Sequence, residues 1–139
     1  MTELAQDAFL LFIRCYWGWQ FFQAGLGKIQ NISKPIAYFA SLNIPLSEFS
    51  AYAVTGCELV GGALLFIGLF ARPVASVLAL VMVGAYFFAD FEALTSIFSE
   101  PDKFIAAAPF SFLFAALTVW LFGAGRASAD GLIAYLARR

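Results

Sequence analysis

The sequence contains no histidine. That removes the usual axial ligand of b-type haem and the commonest ligand of catalytic zinc, so neither unaided haem chemistry nor a metal site is expected of this chain. Its thiols are Cys15 and Cys57, with no C-x-x-C and hence no dithiol redox motif. In an antiparallel pair of helices the two cysteines would differ in depth by roughly 12 Å, too far for a disulfide. Charge is equally scarce, at 12% of residues with a net charge of −1, and so small a basic complement gives no footprint for nucleic acid. No run of Gly and Ser marks a linker, and neither low complexity nor an internal repeat is evident, so residues 1–139 read as a single domain. The glycines of Gly25-Leu26-Gly27 and Gly123-Ala124-Gly125 do not follow a strand or complete a phosphate-loop spacing; they read as helix ends.

What is abundant is apolar surface. With 63% hydrophobic residues and a mean hydropathy of +0.86, too few polar side chains exist to coat a soluble core of this size. A bilayer core takes about 20 apolar residues per helix, and four stretches approach that: 8–27, 52–71, 73–89 and 104–122. None alternates as a barrel strand would. The expected fold is therefore all-α: an integral membrane four-transmembrane-helix bundle with short interfacial helices.

The first stretch follows Glu3 and Asp7 and carries Arg14, Gln20 and Gln23, so it is expected to remain in the mature protein instead of serving as a cleaved signal. An even number of spans puts both termini on one side. Arg72, Arg126, Arg138 and Arg139 fall there, with Arg14 snorkelling toward it; Lys28, Lys34 and Lys103 fall opposite, among Glu48, Glu92, Glu100 and Asp102. The balance predicts cytoplasmic termini in the inner membrane. Ser33 is placed to cap a short helix in the 28–51 segment, and Asp90 another before Pro101; together these could lid the outer end of the bundle or float as surface loops. After the Gly123–Gly125 break, Ser128 is placed to cap an amphipathic helix lying along the inner leaflet.

The informative residues are the polar ones inside the spans, because an ionisable group in hydrocarbon costs a few kcal/mol or more and generally faces a partner or cavity. Glu58 is the main one, roughly 9 Å below the outer end of the second span. Gln20, Gln23 and Ser111 lie at comparable depths, roughly 6 to 11 Å, and Tyr86 and Asp90 approach that level from the third span. These six are the candidate ligand-binding residues, with Glu58 the candidate proton acceptor. An ionised Glu58 would need compensation from Arg14, about 12 Å away along the axis, or from an entering cation. The spacing fixes depth but not azimuth, and the same groups could instead only hold helices together. Pro109 should kink the fourth span beside Ser111. Trp17, Trp19, Phe21 and Phe22 supply packing and lipid-facing surface, or the wall of a flat quinone slot.

Several motifs, in order along nearly the whole chain, resemble the DoxX family of small bacterial and archaeal membrane proteins. They are the early arginine of Leu11-Phe12-Ile13-Arg14, the helix end Gly25-Leu26-Gly27-Lys28, the loop 39–45, the second-helix run from Glu58 through Gly61-Gly62 to Arg72, and Gly123-Ala124-Gly125-Arg126-Ala127-Ser128-Ala129-Asp130. The resemblance points to Arg14, Lys28, Glu58, Arg72, Arg126 and Asp130 as family positions. It departs where many members carry histidine, at Ala24 and in the 86–90 stretch, which speaks against imidazole proton relay or metal binding here. It implies an accessory subunit of a membrane redox complex, similar to that of a thiosulfate:quinone oxidoreductase. Such a subunit would not be catalytic alone; it would use quinone as a non-covalent ligand and a membrane or peripheral redox subunit as partner. A second copy of the chain is another expected partner. The rival readings are a non-enzymatic assembly or scaffold protein and, less favoured for four spans without a repeat, a small-solute permease.

Overall fold

The structure, a computed structural model, describes residues 2–139. These form eight α-helices and no strand: α1 Thr2–Gln30, α2 Ser33–Ser41, α3 Ser47–Ile67, α4 Ala71–Ala89, α5 Phe91–Thr95, α6 Pro101–Ala106, α7 Pro109–Phe122 and α8 Ala129–Ala137. The all-α class follows. Two of the helices, α3 and α4, are long and apolar enough to cross a membrane.

Helices α1, α3, α4 and α7 pack in a ring, α1 on α3, α3 on α4, α4 on α7 and α7 back on α1. The α1–α3 pair runs antiparallel and is the closest, because glycines remove side chains from both backbones. A Cβ at Gly18 would lie 2.7 Å from the Phe66 nitrogen, and one at Gly25 2.6 Å from the Leu59 nitrogen. Phe21, Leu65, Leu78, Ala116 and Val119 fill the centre of the ring. Trp17 packs its edge on Phe112 at 5.2 Å, while Trp19 stays half exposed. With so many alanines and glycines facing inward, the helices are held by close van der Waals approach.

Helix ends differ from the sequence expectation in ways the local chemistry explains. The 104–122 stretch is not one helix. Pro109 lacks an amide hydrogen and its ring would clash with the carbonyl four residues earlier, so α6 stops at Ala106, Ala107 turns extended (φ −65°, ψ 143°) and Pro109 starts α7. The expected kink is thus a break. Helix α3 ends at Gly68, whose φ of +77° disfavours any side chain, and a Cβ there would press on Ser128 and the Arg14 guanidinium.

Of the three expected side-chain caps, Ser128 makes its bond, accepting from the Gly131 nitrogen at 3.0 Å. Ser33 does not: it is already the first residue of α2, and its hydroxyl turns to Asn31 Oδ1 at 3.0 Å. Asp90 precedes α5 but makes no capping bond through its side chain.

Candidate functional site

Lys28 lies in the last turn of α1, and Glu58 in the middle of α3. Because Gly25 lets α1 rest directly on Leu59, the next turn of α1 carries Lys28 alongside Glu58. The Lys28 Nζ donates to both carboxylate oxygens, at 2.9 Å to Oε1 and 2.7 Å to Oε2. The Glu58 side chain is 4% exposed and that of Lys28 33%. The carboxylate is thus withdrawn into the protein while the ammonium keeps one face open, as a long amphipathic side chain can.

This ion pair forms one wall of a cavity of about 500 Å³. Tyr38 and Phe39 of α2 roof it, Val54 of α3 flanks Glu58, and Val81, Gly84 and Phe88 of α4 complete it. A Cβ at Gly84 would meet nothing within 4 Å, so the glycine leaves that part of the cavity open. The lining is otherwise almost wholly apolar. Ser50 also lines the cavity, but its hydroxyl donates to the Pro45 carbonyl at 2.9 Å. The polar chemistry available to an occupant is therefore that of Lys28 and Glu58: a hydrogen-bond donor with a carboxylate directly behind it.

Of the six candidate ligand-binding residues, the structure brings only Glu58 to this cavity. Gln20 is half-buried and Gln23 exposed. On a helix that packs through Gly18, Phe21 and Gly25, both fall far round the axis from Gly18, by roughly 140° to 160°. Tyr86 is fully buried but on the far side of α4 from Gly84. Its hydroxyl donates to the Phe104 carbonyl at 2.7 Å, and its ring stacks on Phe104 at 4.6 Å. Asp90, half-buried at the α4–α5 junction, and Ser111, on α7, also lie off the cavity. The shared outer pocket expected from depth alone does not form.

Lys28, read from sequence as a helix-end position of the outer side, is the group that sequence reasoning failed to pair with Glu58. A signal was present: Glu58 needs a cation, and Lys28 is the basic residue near the matching end of the first span. What concealed it is that α1 continues to Gln30, so that Lys28 belongs to the helix and not to a loop.

The remaining family positions gather at the opposite end of the ring. Arg14 neither snorkels nor approaches Glu58. It is 2% exposed and donates to three backbone carbonyls: Ala124 at 2.5 Å, Ala127 at 2.8 Å and Phe66 at 3.4 Å. Its fork thereby ties the end of α3 to the 123–128 turn. Asp130 accepts from the Phe70 and Ala71 nitrogens, both at 2.8 Å, and so caps the start of α4. Arg72 donates to the Leu121 carbonyl at 3.4 Å, and Arg126 is ion-paired with Glu3 and Asp7. This end is a structural clasp.

A family model described as DoxX matches residues 9–90, a stretch that holds every residue lining the cavity. The protein named "Putative oxidoreductase CatD" of Bacillus subtilis (strain 168) is 40% identical over 75 residues, which is 54% of this chain and 54% of that protein. The match thus spans about half the length of that relative. No solved structure matches.

Proposed function

This chain belongs to the DoxX family, and from that premise we propose that it is a multi-pass protein of the cytoplasmic membrane that binds quinone, or another lipophilic molecule, in the cavity beside Lys28 and Glu58. It serves there as an accessory subunit of a membrane redox complex. In this reading α1, α3, α4 and α7 cross the bilayer with both termini cytoplasmic. Helix α7 alone, at 14 residues, is roughly 21 Å long, and α6 supplies the rest of a span of about 30 Å.

The observation that carries the reading is the ion pair set into an otherwise apolar cavity. That combination suits a ligand with one small polar head on a hydrophobic body. Lys28 donates to a carbonyl oxygen of the head through the hydrogen not committed to Glu58, and holds it against the cavity wall. Glu58, one bond further in, is placed to take up or return the proton that accompanies quinone reduction or quinol oxidation. A chain without histidine or paired cysteines leaves the electrons to a partner subunit that carries the redox centre. The oxidoreductase name of the Bacillus subtilis relative agrees with this assignment.

The test is lipid extraction and native mass measurement on one sample purified in mild detergent, for the wild type, Lys28→Met and Glu58→Gln. Quinone recovered from the wild type and depleted in both variants supports the proposal. An empty bundle bound to one protein partner in fixed ratio would replace it with an assembly role.

A further inference from the structure

The cavity at Lys28 reaches along α4 as far as Val77. Val77 lines it, and Val77 also lines a second groove of about 570 Å³ between α3 and α4. Gly56, Val60 and Leu64 form its α3 side, Pro73, Val74 and Val77 its α4 side. Apart from Tyr52 and Cys57 the lining is aliphatic or glycine. On α4 the groove lies beyond Val77 from the cavity, roughly 12 Å from Ala85 at Val77 and roughly 18 Å at Pro73, while on α3 it reaches from Tyr52 past the level of Glu58 to Leu64.

Two details show that none of the described residues fills this groove. Val60 and Val77 are 59% and 45% exposed. A Cβ at Gly56 would meet nothing within 4 Å, whereas Cβ atoms at Gly18, Gly25 and Gly62 would strike backbone. Gly56 is therefore not needed for helix packing; it leaves space. In the cavity itself, Tyr38 and Phe39 lie on the α2 side and the ion pair on the α1 side, and Val77 is the residue it shares with the groove.

We infer that the α3–α4 groove is the binding site for the tail of the same ligand whose head is held by Lys28 and Glu58. This rests on the head-site reading above and extends it to the ligand's class: an amphiphile with one polar head and one apolar chain that reaches past Val77, about the length of an extended decyl chain. Within a bilayer the chain is already in an apolar medium, so the groove gains little from the hydrophobic effect. Its selectivity comes from packing against fixed side chains, which makes the preference modest.

The experiment measures binding of two probes to the protein in lipid nanodiscs, with concentrations expressed per lipid. One is the bare dimethoxymethylbenzoquinone ring; the other, decylubiquinone, carries a decyl chain on that same ring. The wild type should bind decylubiquinone about fivefold more tightly, a difference near 1 kcal/mol. Leu64→Trp, which fills the groove near Val74 without touching the head cavity, should erase that preference and leave the affinity of the bare ring unchanged. Val60→Phe, also on the groove and exposed, should do the same, and each variant is first checked for an unchanged helical spectrum and melting point. A chain preference that is absent in the wild type, or that survives in both folded variants, overturns the tail site while leaving the head site standing. Failure of both probes to bind the wild type overturns the head site, and the tail site with it.

Discussion

Lys28 Nζ sits 2.9 and 2.7 Å from Glu58 Oε1 and Oε2, across an α1–α3 contact that Gly25 makes possible. The pair couples a helix end to a helix middle, so the energetics of the fold and the chemistry of the cavity depend on the same two side chains. Removing Lys28 strands a carboxylate that water reaches poorly, whereas removing Glu58 leaves an ammonium that is a third exposed.

Lys28→Met should therefore destabilise the protein by about 2–3 kcal/mol, less than a fully buried pair would cost because the lysine is a third exposed. Lys28→Met combined with Glu58→Leu should recover most of that loss. Thermal or denaturant unfolding in one detergent reads the cycle. If the double variant is as unstable as the sum of the two single ones, the residues are not coupled.

The α1–α3 contact gives a second prediction. Gly62→Ala would drive a methyl group into the Phe22 backbone and should cost about 1–3 kcal/mol through overpacking. Gly27→Ala, where nothing lies within 4 Å, should be neutral or slightly stabilising from helix propensity alone. Equal effects of the two on the melting point would mean that close backbone approach does not hold this interface.

The clasp at the other end separates a buried arginine from an exposed one. Arg14→Lys should cost about 2–4 kcal/mol, since a single ammonium cannot serve three carbonyls in a planar fork, and trypsin should then cut sooner at Arg126. Arg126→Gln should leave the melting point almost unchanged, as expected of an exposed pair. The hydrogen bond and charge of Glu3, then the charge of Asp7, raise the Arg126 guanidinium above the ordinary arginine range. A raised folded-state value stabilises below the unfolded value and is lost only as pH rises through the raised one, so the pair should give no stability step on the alkaline side of neutrality.

Thr55, one turn before Glu58, is 1% exposed, and its Oγ1 is buried without a hydrogen-bond partner among the described residues. Thr55→Val keeps the branched shape and removes the unsatisfied hydroxyl, so it should raise stability by about 1 kcal/mol. A loss of similar size in the unfolding midpoint would show that the hydroxyl is satisfied, by water or by a ligand.

Several elements are legible in the amino-acid sequence. The stretches that form α1, α3, α4 and most of α7 stand out as apolar runs bounded by glycine, proline and charge, and Ser128 announces its cap through residue type and position. Pro109 announces a disturbance, although the size of it depends on how Ala107 can turn. The cavity is legible only through Glu58. The other polar residues of those stretches group with it by height, and height says nothing about the side of the helix on which a residue stands.

By itself, the sequence determined the helical class, the family resemblance and the height of Glu58 along its helix, because composition and a fixed rise per residue decide those things locally. Which cation would meet Glu58 was decided only by tertiary structure. The rotation of each helix about its axis is set by where a neighbour can approach, and here Gly18, Gly25 and Gly62 turn α1 so that Lys28 reaches the carboxylate while Gln20 and Gln23 turn away. The same close packing sends Arg14 to the carbonyls of the 123–128 turn, at the end of the ring opposite Glu58.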